Sequence, residues 1–400
     1  MRFFIMMFIL LMLAGLIGWL NYWLLRRRFA GYRQPVVRYT YLFVTASAVV
    51  VMLYTRVRNL SPMNPDDEIF YWLLYMAVAW LFGQFVLILL QLLYYVAGWL
   101  ISLRPARPGA SQPSQAVMTR RSFLNGLAAV LPLISVGAGA KGVYEAQAEM
   151  VVQQYRLPFA NLPAHLQGFK IAQLSDTHLG PYFSLDRLDT VIRLLKEHKP
   201  DMLAITGDFA DDLRLLRPAL ERLDQLQPVI PLGIYFCIGN HEYIRDIARF
   251  RAEMAKSKTL LLENDNRLLV AGSQPLYLLG VDYPGSDSSP SALDISADRR
   301  RQCFAAADRN IPASAFKILL AHHPDFLIDG FAGQIPLTLA GHTHGGQLNI
   351  SGKPLFNNHA YMRGLYRENG VYGYVSSGAG HWFPLRLGCP PEISIFTLTS

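Results

Sequence analysis

Apolar residues are concentrated in the first third of the chain, where they form long runs without a charged residue. Residues 3–25, 39–55 and 69–103 are three such runs, of 23, 17 and 35 residues. A helix that crosses a bilayer needs about 20 apolar residues. The first run is therefore long enough to cross a bilayer, and the length of the second is marginal. The third run fits one tilted helix that extends past the bilayer interface. A fourth, weaker run at residues 123–140 contains Pro132.

The loops between these runs differ in their arginine content. The first, at residues 26–38, contains five Arg; the second contains two Arg beside three acidic residues; the third, at residues 104–121, contains four Arg. The positive-inside rule places the first and third loops in the cytoplasm and the second outside. With four spans, the chain after residue 140 emerges on the outer, periplasmic side of the inner membrane. Two spans within residues 69–103 would reverse this orientation.

Residues 104–122 are a predicted basic linker, rich in Pro, Ser and Gly, that ends within the sequence TRRSFLNG. Arg120 and Arg121 precede the fourth apolar run, which closes on the small residues Ala138-Gly139-Ala140. This order is typical of a twin-arginine export signal, so we predict the twin-arginine translocation machinery as a partner. Alternatively, the two arginines are cytoplasmic anchors of a fourth transmembrane helix. Both interpretations place the following chain outside, and both leave cleavage after Ala140 open.

The net charge of +8 belongs to the N-terminal third of the chain. Residues 1–140 contain twelve Arg and no Lys against three acidic residues, a charge of +9, whereas the remaining residues contain 25 basic and 26 acidic side chains, a charge of −1. A basic surface for nucleic acid would have to lie in the second part. We therefore expect no nucleic-acid partner. The three cysteines have no paired spacing and indicate no disulfide framework.

From Phe169 onward, short Leu-rich or β-branched runs alternate with helical patterns. FKIAQLS is typical of a strand, and the segment after it places apolar residues at helical spacing from Leu185 to Leu195, with Ser184 as its predicted N-cap. This alternation implies a layered α/β domain. The remaining predicted elements are helices at residues 213–226 and 243–256 and the strands DMLAIT, GIYFCI, FKILLA, PLTLA, YGYVS and ISIFTL.

Five polar clusters directly follow predicted strands and contain six of the ten histidines. Open α/β sheets place their sites at these carboxyl ends. Asp, His and Asn are ligands for divalent metals of intermediate hardness, and their number exceeds what one ion needs. Two ions about 3.5–4 Å apart, bridged by a carboxylate and a hydroxide, suit in-line attack on phosphorus. The clusters are Ser175-Asp176-Thr177-His178, residues 207–211 (GDFAD), residues 239–242 (GNHE), Ala321-His322-His323 and residues 341–347 (GHTHGGQ).

The blocks DTH, GDFAD, GNHE, AHH and GHTHGGQ, in this order, resemble the five signature blocks of calcineurin-like metallophosphoesterases over residues 165–400. The tail YMRGLY…YVSSGAGHWFPLRLGCPPEI further resembles a bacterial branch with twin-arginine-exported phosphodiesterases and relatives of UDP-2,3-diacylglucosamine hydrolases. The resemblance implies a four-layer α/β/β/α sandwich at residues 150–400. Before it we predict an all-α transmembrane region of about three helices at residues 1–103, the linker, and a fourth, signal-like helix at residues 123–140.

The resemblance also implies that seven side chains bind two divalent ions. Their mixed nitrogen and oxygen donors are compatible with manganese, iron or zinc. A hydroxide that bridges the ions would be the nucleophile. The implied ligands are Asp176, His178 and His344 at the first ion, Asn240, His322 and His342 at the second, and Asp208 between the two.

Further roles follow from the same resemblance. His241 would protonate the leaving oxygen, and Asp211 would orient His241. Alternatively, Asp211 caps the following helix, as we expect of Asp212. Gly345 and Gly346 would let the backbone approach the phosphate closely.

Five other histidines are less constrained by the motifs. His323 lies beside a predicted ligand and is a further candidate for contact with the substrate. His359 and His381 lie in the tail, where they either face the pocket or are ordinary surface or core residues. We interpret His165 and His198 as surface residues.

The predicted function is hydrolysis of a phosphodiester or pyrophosphate by a membrane-anchored enzyme, with the bilayer as a partner and a lipid-linked phosphoester as substrate. One alternative is a cytoplasm-facing hydrolase that cleaves the pyrophosphate of UDP-2,3-diacylglucosamine in lipid A synthesis. Another is an inactive binding or scaffold protein on the same fold. A third makes the first three spans an independent transport or sensor module, but their runs lack the charged residues that mark ion pathways.

Overall fold

The computed structural model describes residues 2–58, 68–103, 120–285, 295–357 and 359–400. Residues 104–119 of the predicted linker therefore lie outside the described residues. The chain forms two compact units, Met1–Tyr144 and Glu145–Ser400. The helices that begin in the first unit are α1 Arg2–Arg28, α2 Pro35–Arg58, α3 Glu68–Ser102 and α4 Arg120–Gln147.

Three helices of the first unit are long and apolar enough to cross a membrane. The qualifying segments are Phe8–Arg28, Pro35–Thr55 and Ile69–Leu100, and they confirm the three apolar helices predicted near the N-terminus. The third run forms one continuous helix of 35 residues. Large apolar side chains on these helices are exposed, such as Phe43 at 72%. Such an exterior suits lipid as the surrounding solvent.

Buried polar side chains join α1, α2 and α3. Asn21 donates from Nδ2 to the Gln84 backbone oxygen at 2.7 Å and to Gln84 Oε1 at 3.0 Å. Gln91 donates to Asn21 Oδ1 at 2.9 Å, and the Tyr41 hydroxyl donates to Gln84 Oε1. An unpaired polar group is costly in an apolar environment. The network therefore favours one arrangement of the three helices.

Helix α4 packs against α3 through small residues. A Cβ added to Gly83 would lie 2.9 Å from the Ser135 carbonyl oxygen, and one added to Gly139 would collide with the carbonyl oxygen of Ala79. Ala79 and Gly83 are four positions apart on α3, and Ser135 and Gly139 are four positions apart on α4. This spacing of small residues permits close approach of the two backbones. Helix α4 continues through Pro132 to Gln147. Ala140, after which cleavage was left open, therefore lies within a continuous helix.

The second unit contains two stacked six-stranded sheets. The first has the order β1-β14-β2-β3-β4-β5, the second the order β12-β13-β9-β8-β7-β6, and β10 and β11 form a separate hairpin. Strands β2 to β5 are parallel, as are β7, β8, β9 and β13. The strands are β1 Val151–Pro158, β2 Lys170–Leu174, β3 Met202–Thr206, β4 Ile234–Cys237, β5 Leu260–Leu261, β6 Asp265–Val270, β7 Leu276–Gly280, β8 Phe316–Leu320, β9 Leu337–Ala340, β10 Asn349–Ile350, β11 Lys353–Pro354, β12 Gly364–Glu368, β13 Val371–Val375 and β14 Glu392–Thr399.

Helices cover the outer face of each sheet. One apolar cluster, which includes Ile171 and Ile318, lies between the sheets. A second packs helices onto the first sheet, and a third packs helices onto the second sheet. The layers follow the predicted order α/β/β/α. The helices are α5 Leu185–His198, α6 Leu213–Asp224, α7 Asn240–Arg245, α8 Ile247–Met254, α9 Ala297–Ala307 and α10 Phe326–Ala332.

The structure tests two predictions about where helices begin and end: the N-cap of α5 and the helix at residues 243–256. Ser184 caps α5 by accepting from the Arg187 backbone N–H, as predicted. The single helix predicted at residues 243–256 is wrong, because Asp246 is extended and separates α7 from α8. The Asp246 side chain accepts from the Arg249 backbone N–H and so begins a new helix.

The contact between α3 and α4 predicts a position-specific effect of one methyl group. Gly139→Ala should lower the thermal unfolding midpoint of the detergent-solubilised full-length protein, since overpacking costs about 1–3 kcal/mol. Tryptophan fluorescence is a suitable readout, because five of the six Trp lie in the first unit. Gly137→Ala is the matched control, since among the described residues no atom beyond the local helix backbone lies within 4 Å of its added Cβ. Equal midpoints for both variants would contradict the close packing.

Candidate metal centre

Ten predicted site residues lie in five segments, each of which follows the carboxyl end of a strand; one of these segments is the start of α7. Three segments come from the first sheet and two from the second, so both sheets contribute to one region. Asp176 and His178 follow β2, Asp208 and Asp211 follow β3, Asn240 and His241 follow β4, His322 and His323 follow β8, and His342 and His344 follow β9.

Five of the predicted metal ligands have a left-handed backbone. Non-glycine residues rarely adopt this conformation, and each costs about 1–3 kcal/mol unless the surroundings enforce it. Five of the twelve non-glycine residues with positive φ among the described residues are therefore predicted metal ligands. The φ angles are 53° at Asp176, 48° at His178, 52° at Asp208, 73° at His342 and 49° at His344.

The first group that could hold a metal ion consists of Asp176, His178 and His344. One potential ligand atom from each residue lies within 4.8 Å of the others, and all three residues are buried. The Nε2 atoms of His178 and His344 are 3.1 Å apart, and Asp176 Oδ1 lies 3.6 Å from His344 Nε2. Two imidazoles and a carboxylate that converge in this way match the donor set of a divalent transition metal.

The second group consists of Asp208, His322 and His342, and Asn240 lies between its histidines. Asn240 Oδ1 is 3.1 Å from His322 Nε2 and 3.0 Å from His342 Nδ1. Asp208 Oδ2 is 3.3 Å from His322 Nε2 and 3.7 Å from His178 Nε2 of the first group. Asp208 thus belongs to the second group and also lies next to the first, where a bridging ligand would be expected.

Burial and mutual proximity shift the pKa values of these groups. Burial raises the pKa of Asp176. Burial also acts to raise the pKa of Asp208, but His322 and His241 hold this pKa well below its usual range. Burial lowers the pKa of His344, and the nearby His178 lowers it further. An unprotonated imidazole and an ionised carboxylate are the forms that bind metals.

His241 and Asp211 form a hydrogen-bonded pair beside the second group. His241 Nδ1 is 2.5 Å from Asp211 Oδ1, and Arg245 Nε lies 3.3 Å from the same oxygen. Burial acts to lower the His241 pKa, but Asp208 and Asp211 raise it to about 9. The alternative role of Asp211 as a helix cap is wrong, because Asp212 caps α6 by accepting from the Arg214 backbone N–H.

Glu242 has a positioning role that the sequence analysis missed. Its buried carboxylate accepts from the backbone N–H groups of Asp208 at 3.0 Å, Phe209 at 2.8 Å and Gly239 at 2.8 Å. Glu242 thereby joins the loop after β3 to the loop after β4. Its place three residues after Gly239 matched a helix-capping pattern and was the available signal.

His323, His342 and His359 form a further group of histidines at the site. One ring nitrogen from each lies within 4.8 Å of the others. His323 Nδ1 accepts from the Asp325 backbone N–H at 3.2 Å. The Tyr283 ring centroid lies about 6 Å from the ring centroids of both His323 and His342. His359 therefore borders the site.

His381, by contrast, is buried and stacks on Tyr182 with ring centroids 5.6 Å apart. Its ring nitrogens have no hydrogen-bond partner in the described part of the chain. His165 is exposed and His198 half-buried. His359 joins a group that could hold a metal, whereas His165, His198 and His381 join none among the described residues.

Arg386 is a second residue that the sequence analysis missed. It is fully buried and donates to the carbonyl oxygens of Cys389 at 3.2 Å, of Gly378 at 3.3 Å and of Gly380. Its Nη2 atom lies 3.4 Å from His344 Nδ1. Arg386 therefore holds the tail loop against one of the predicted ligands.

Comparisons with known proteins found one matching family model and several similar proteins. A family model described as calcineurin-like phosphoesterase matches residues 169–346. The metallophosphoesterase YkuE of Bacillus subtilis is 30% identical over 310 residues, which cover 71% of this chain and 98% of the relative. A Bos taurus transmembrane protein with a metallophosphoesterase domain is 30% identical over 319 residues, 76% of this chain and 66% of the relative. A solved dimetal phosphatase from Danio rerio covers 53% of this chain and 88% of its own, with 12% identity and a TM-score of 0.32.

The contacts of Glu242 predict that its charge supports the neighbouring Asp208 loop. In Glu242→Gln an amide nitrogen would face a backbone N–H, so we expect the free energy of unfolding to fall by about 1–3 kcal/mol and the apparent Kd for Mn²⁺ to rise about tenfold. Competition with a fluorescent chelator measures the affinity. Glu197→Gln, at an exposed carboxylate 3.5 Å from Arg193, should change neither value. Unchanged Mn²⁺ affinity in Glu242→Gln would refute this role.

Proposed function

Because the chain belongs to the calcineurin-like metallophosphoesterases, we propose that it is a membrane-anchored hydrolase of phosphodiester or pyrophosphate bonds in a lipid-linked substrate. The observation that carries the proposal is the convergence of two groups of potential ligands on either side of Asp208. The preference for a diester or pyrophosphate comes from the motif resemblance. The three apolar helices support a lipid-linked substrate, because they hold the enzyme at a bilayer.

The donor set fits two divalent cations. Asp176, His178 and His344 would hold one ion, Asn240, His322 and His342 would hold the other, and Asp208 would contact both. Bound ions would neutralise charge on phosphoryl oxygens and lower the pKa of a water molecule. The mixed nitrogen and oxygen donors suit manganese, iron or zinc.

The protein's own side chains would complete the chemistry. His241 would donate a proton to the leaving oxygen, and Asp211, hydrogen-bonded to its Nδ1, would fix the ring. Gly345 and Gly346 have φ angles of 61° and 74°, and a Cβ at Gly345 would lie 2.7 Å from Cys389 Sγ. Such glycines permit backbone approach to a phosphate. His323 would contact the substrate beside the second ion.

The role of Asp208 can be tested with a synthetic substrate. Full-length protein in detergent should hydrolyse bis-nitrophenyl phosphate in the presence of Mn²⁺, and Asp208→Asn should lower kcat at least about a hundredfold, because the shared carboxylate charge is lost. Release of nitrophenol gives the rate. Asp212→Asn is the matched control, since Asn also caps helices, and it should retain activity. Full activity of Asp208→Asn would refute the role of Asp208, and absence of metal-dependent turnover on any phosphoester would refute the enzymatic function.

We further propose that the catalytic unit faces the periplasm and is exported by the twin-arginine route. This route carries folded proteins, so both ions could be bound before transport. This proposal is supported by the order in the sequence of the arginine pair, the apolar run and the small residues at the end of that run.

The arginine pair gives a direct test of this orientation. Arg120→Lys combined with Arg121→Lys should leave the catalytic unit in the cytoplasm with unchanged specific activity. Protease digestion of intact spheroplasts measures its location. Arg104→Lys combined with Arg107→Lys preserves the same charges and should leave the unit outside. An external catalytic unit in the first variant would reduce the pair to a topology anchor. A cytoplasmic unit in the unsubstituted protein would support the UDP-2,3-diacylglucosamine alternative.

A further inference from the structure

The second unit exposes an unusual apolar surface on two segments of its C-terminal part. Among the large apolar side chains described in this unit, the four most exposed are Ile350 at 64%, Phe356 at 54%, Leu355 at 48% and Trp382 at 47%. Three lie in the β10–β11 hairpin and its exit, and the fourth lies in the loop after β13. We call these four residues the apolar rim. Exposed apolar residues are common singly, but their concentration on two short segments is characteristic of a binding surface.

The two segments of the apolar rim are bonded to each other. Asn349 N donates to Leu387 O at 2.7 Å, and Leu387 N donates to Gln347 O at 2.8 Å. The Gln347 side chain also donates to Phe383 O at 3.3 Å. The hairpin and the tail loop therefore lie side by side.

The same surface adjoins the candidate metal centre. The hairpin begins at Asn349, three residues after Gly346. Cys389 Sγ, in the tail loop, lies 3.3 Å from the His344 backbone oxygen. A molecule whose phosphate reached the metal centre would therefore pass close to the apolar rim.

Charge and tethering indicate what covers this surface. Residues 347–361 and 379–391 contain no Asp or Glu and include Lys353 and Arg386. One carboxylate from outside these ranges, that of Glu145, accepts from the Gly388 backbone N–H in the tail loop at 2.5 Å. Trp382 is of the residue type enriched at the boundary between lipid headgroups and hydrocarbon. The chain's three apolar helices also keep the second unit near a bilayer at high effective concentration.

We propose that the apolar rim docks on lipid hydrocarbon at the bilayer surface and holds the apolar part of a membrane phosphoester while its phosphate occupies the metal centre. The proposal rests on the proposed phosphohydrolase function and assigns a surface to its lipid-linked substrate. It makes the hydrocarbon a determinant of substrate affinity rather than of the chemical step.

Two synthetic diesters with the same scissile bond test this inference. Hexadecyl nitrophenyl phosphate and methyl nitrophenyl phosphate share the leaving group and differ in their alkyl chain. With full-length protein in mixed micelles, we expect an apparent KM about tenfold lower for the hexadecyl ester, because part of its chain is buried on the apolar rim. Phe356→Ser combined with Trp382→Ser should abolish this preference without changing kcat for the methyl ester.

Leu268→Ser is the matched control, because Leu268 is 44% exposed but lies on the edge strand β6, outside the apolar rim. It should retain the wild-type preference. An unchanged preference in the double variant, or equal KM values for both esters in the wild type, would overturn the proposal. If the wild type hydrolyses neither ester, the proposed function fails, and a separate measurement decides the docking.

That measurement uses an environment-sensitive fluorophore on full-length protein in phosphatidylcholine nanodiscs. Cys237 and Cys389 are buried, so Phe356→Cys in a Cys303→Ser background offers one accessible thiol. A nitrobenzoxadiazole label there should emit at shorter wavelength than the same label at Leu268→Cys, because it enters hydrocarbon. Equal emission from the two positions would exclude contact between the apolar rim and the bilayer.

Discussion

The buried carboxylates of Asp176 and Asp208 impose the constraint on which the catalytic unit depends. Among the described contacts, neither has a Lys or Arg at ion-pair distance, and their charged neighbours are histidines. A buried, uncompensated carboxylate costs several kcal/mol. Two divalent ions would balance these charges, but only if loops from both sheets meet at one place. The stacked sheets, whose parallel strands end at the same edge, provide that meeting point.

The same constraint explains which features could be predicted from sequence. The polar clusters directly follow hydrophobic strands, so each local pattern indicated both a strand and a functional loop. The N-cap of α5 was similarly local, because Ser184 acts on a residue three positions later. By contrast, β1 pairs with β14 from Val151↔Glu392 onward, across most of the unit. No local pattern encodes that pairing, and β1 was not predicted.

Residues missed at the site were missed for related physical reasons. Glu242 accepts from Gly239 at a local, capping-type spacing, but its contacts with Asp208 and Phe209 on another loop leave no spacing signature. Arg386 is distant in sequence from His344, and its partners are mainly carbonyl oxygens, which every residue has. In the first unit, Gln84 was visible only as an interruption of an apolar run. Its contacts with Asn21 and Tyr41 required the helices to be placed together.

The buried Arg386 relates the metal centre to the exposed surface. A histidine that binds a metal commonly donates its second nitrogen to a carboxylate or carbonyl, whereas His344 Nδ1 faces a guanidinium. Arg386 instead directs most of its hydrogen bonds to the loop that carries Trp382, through Gly378, Gly380 and Cys389. Its contribution is therefore better explained by holding this loop than by strengthening a metal bond. By fixing the loop, Arg386 also fixes the position of the segment that carries Trp382 relative to the predicted ligand His344.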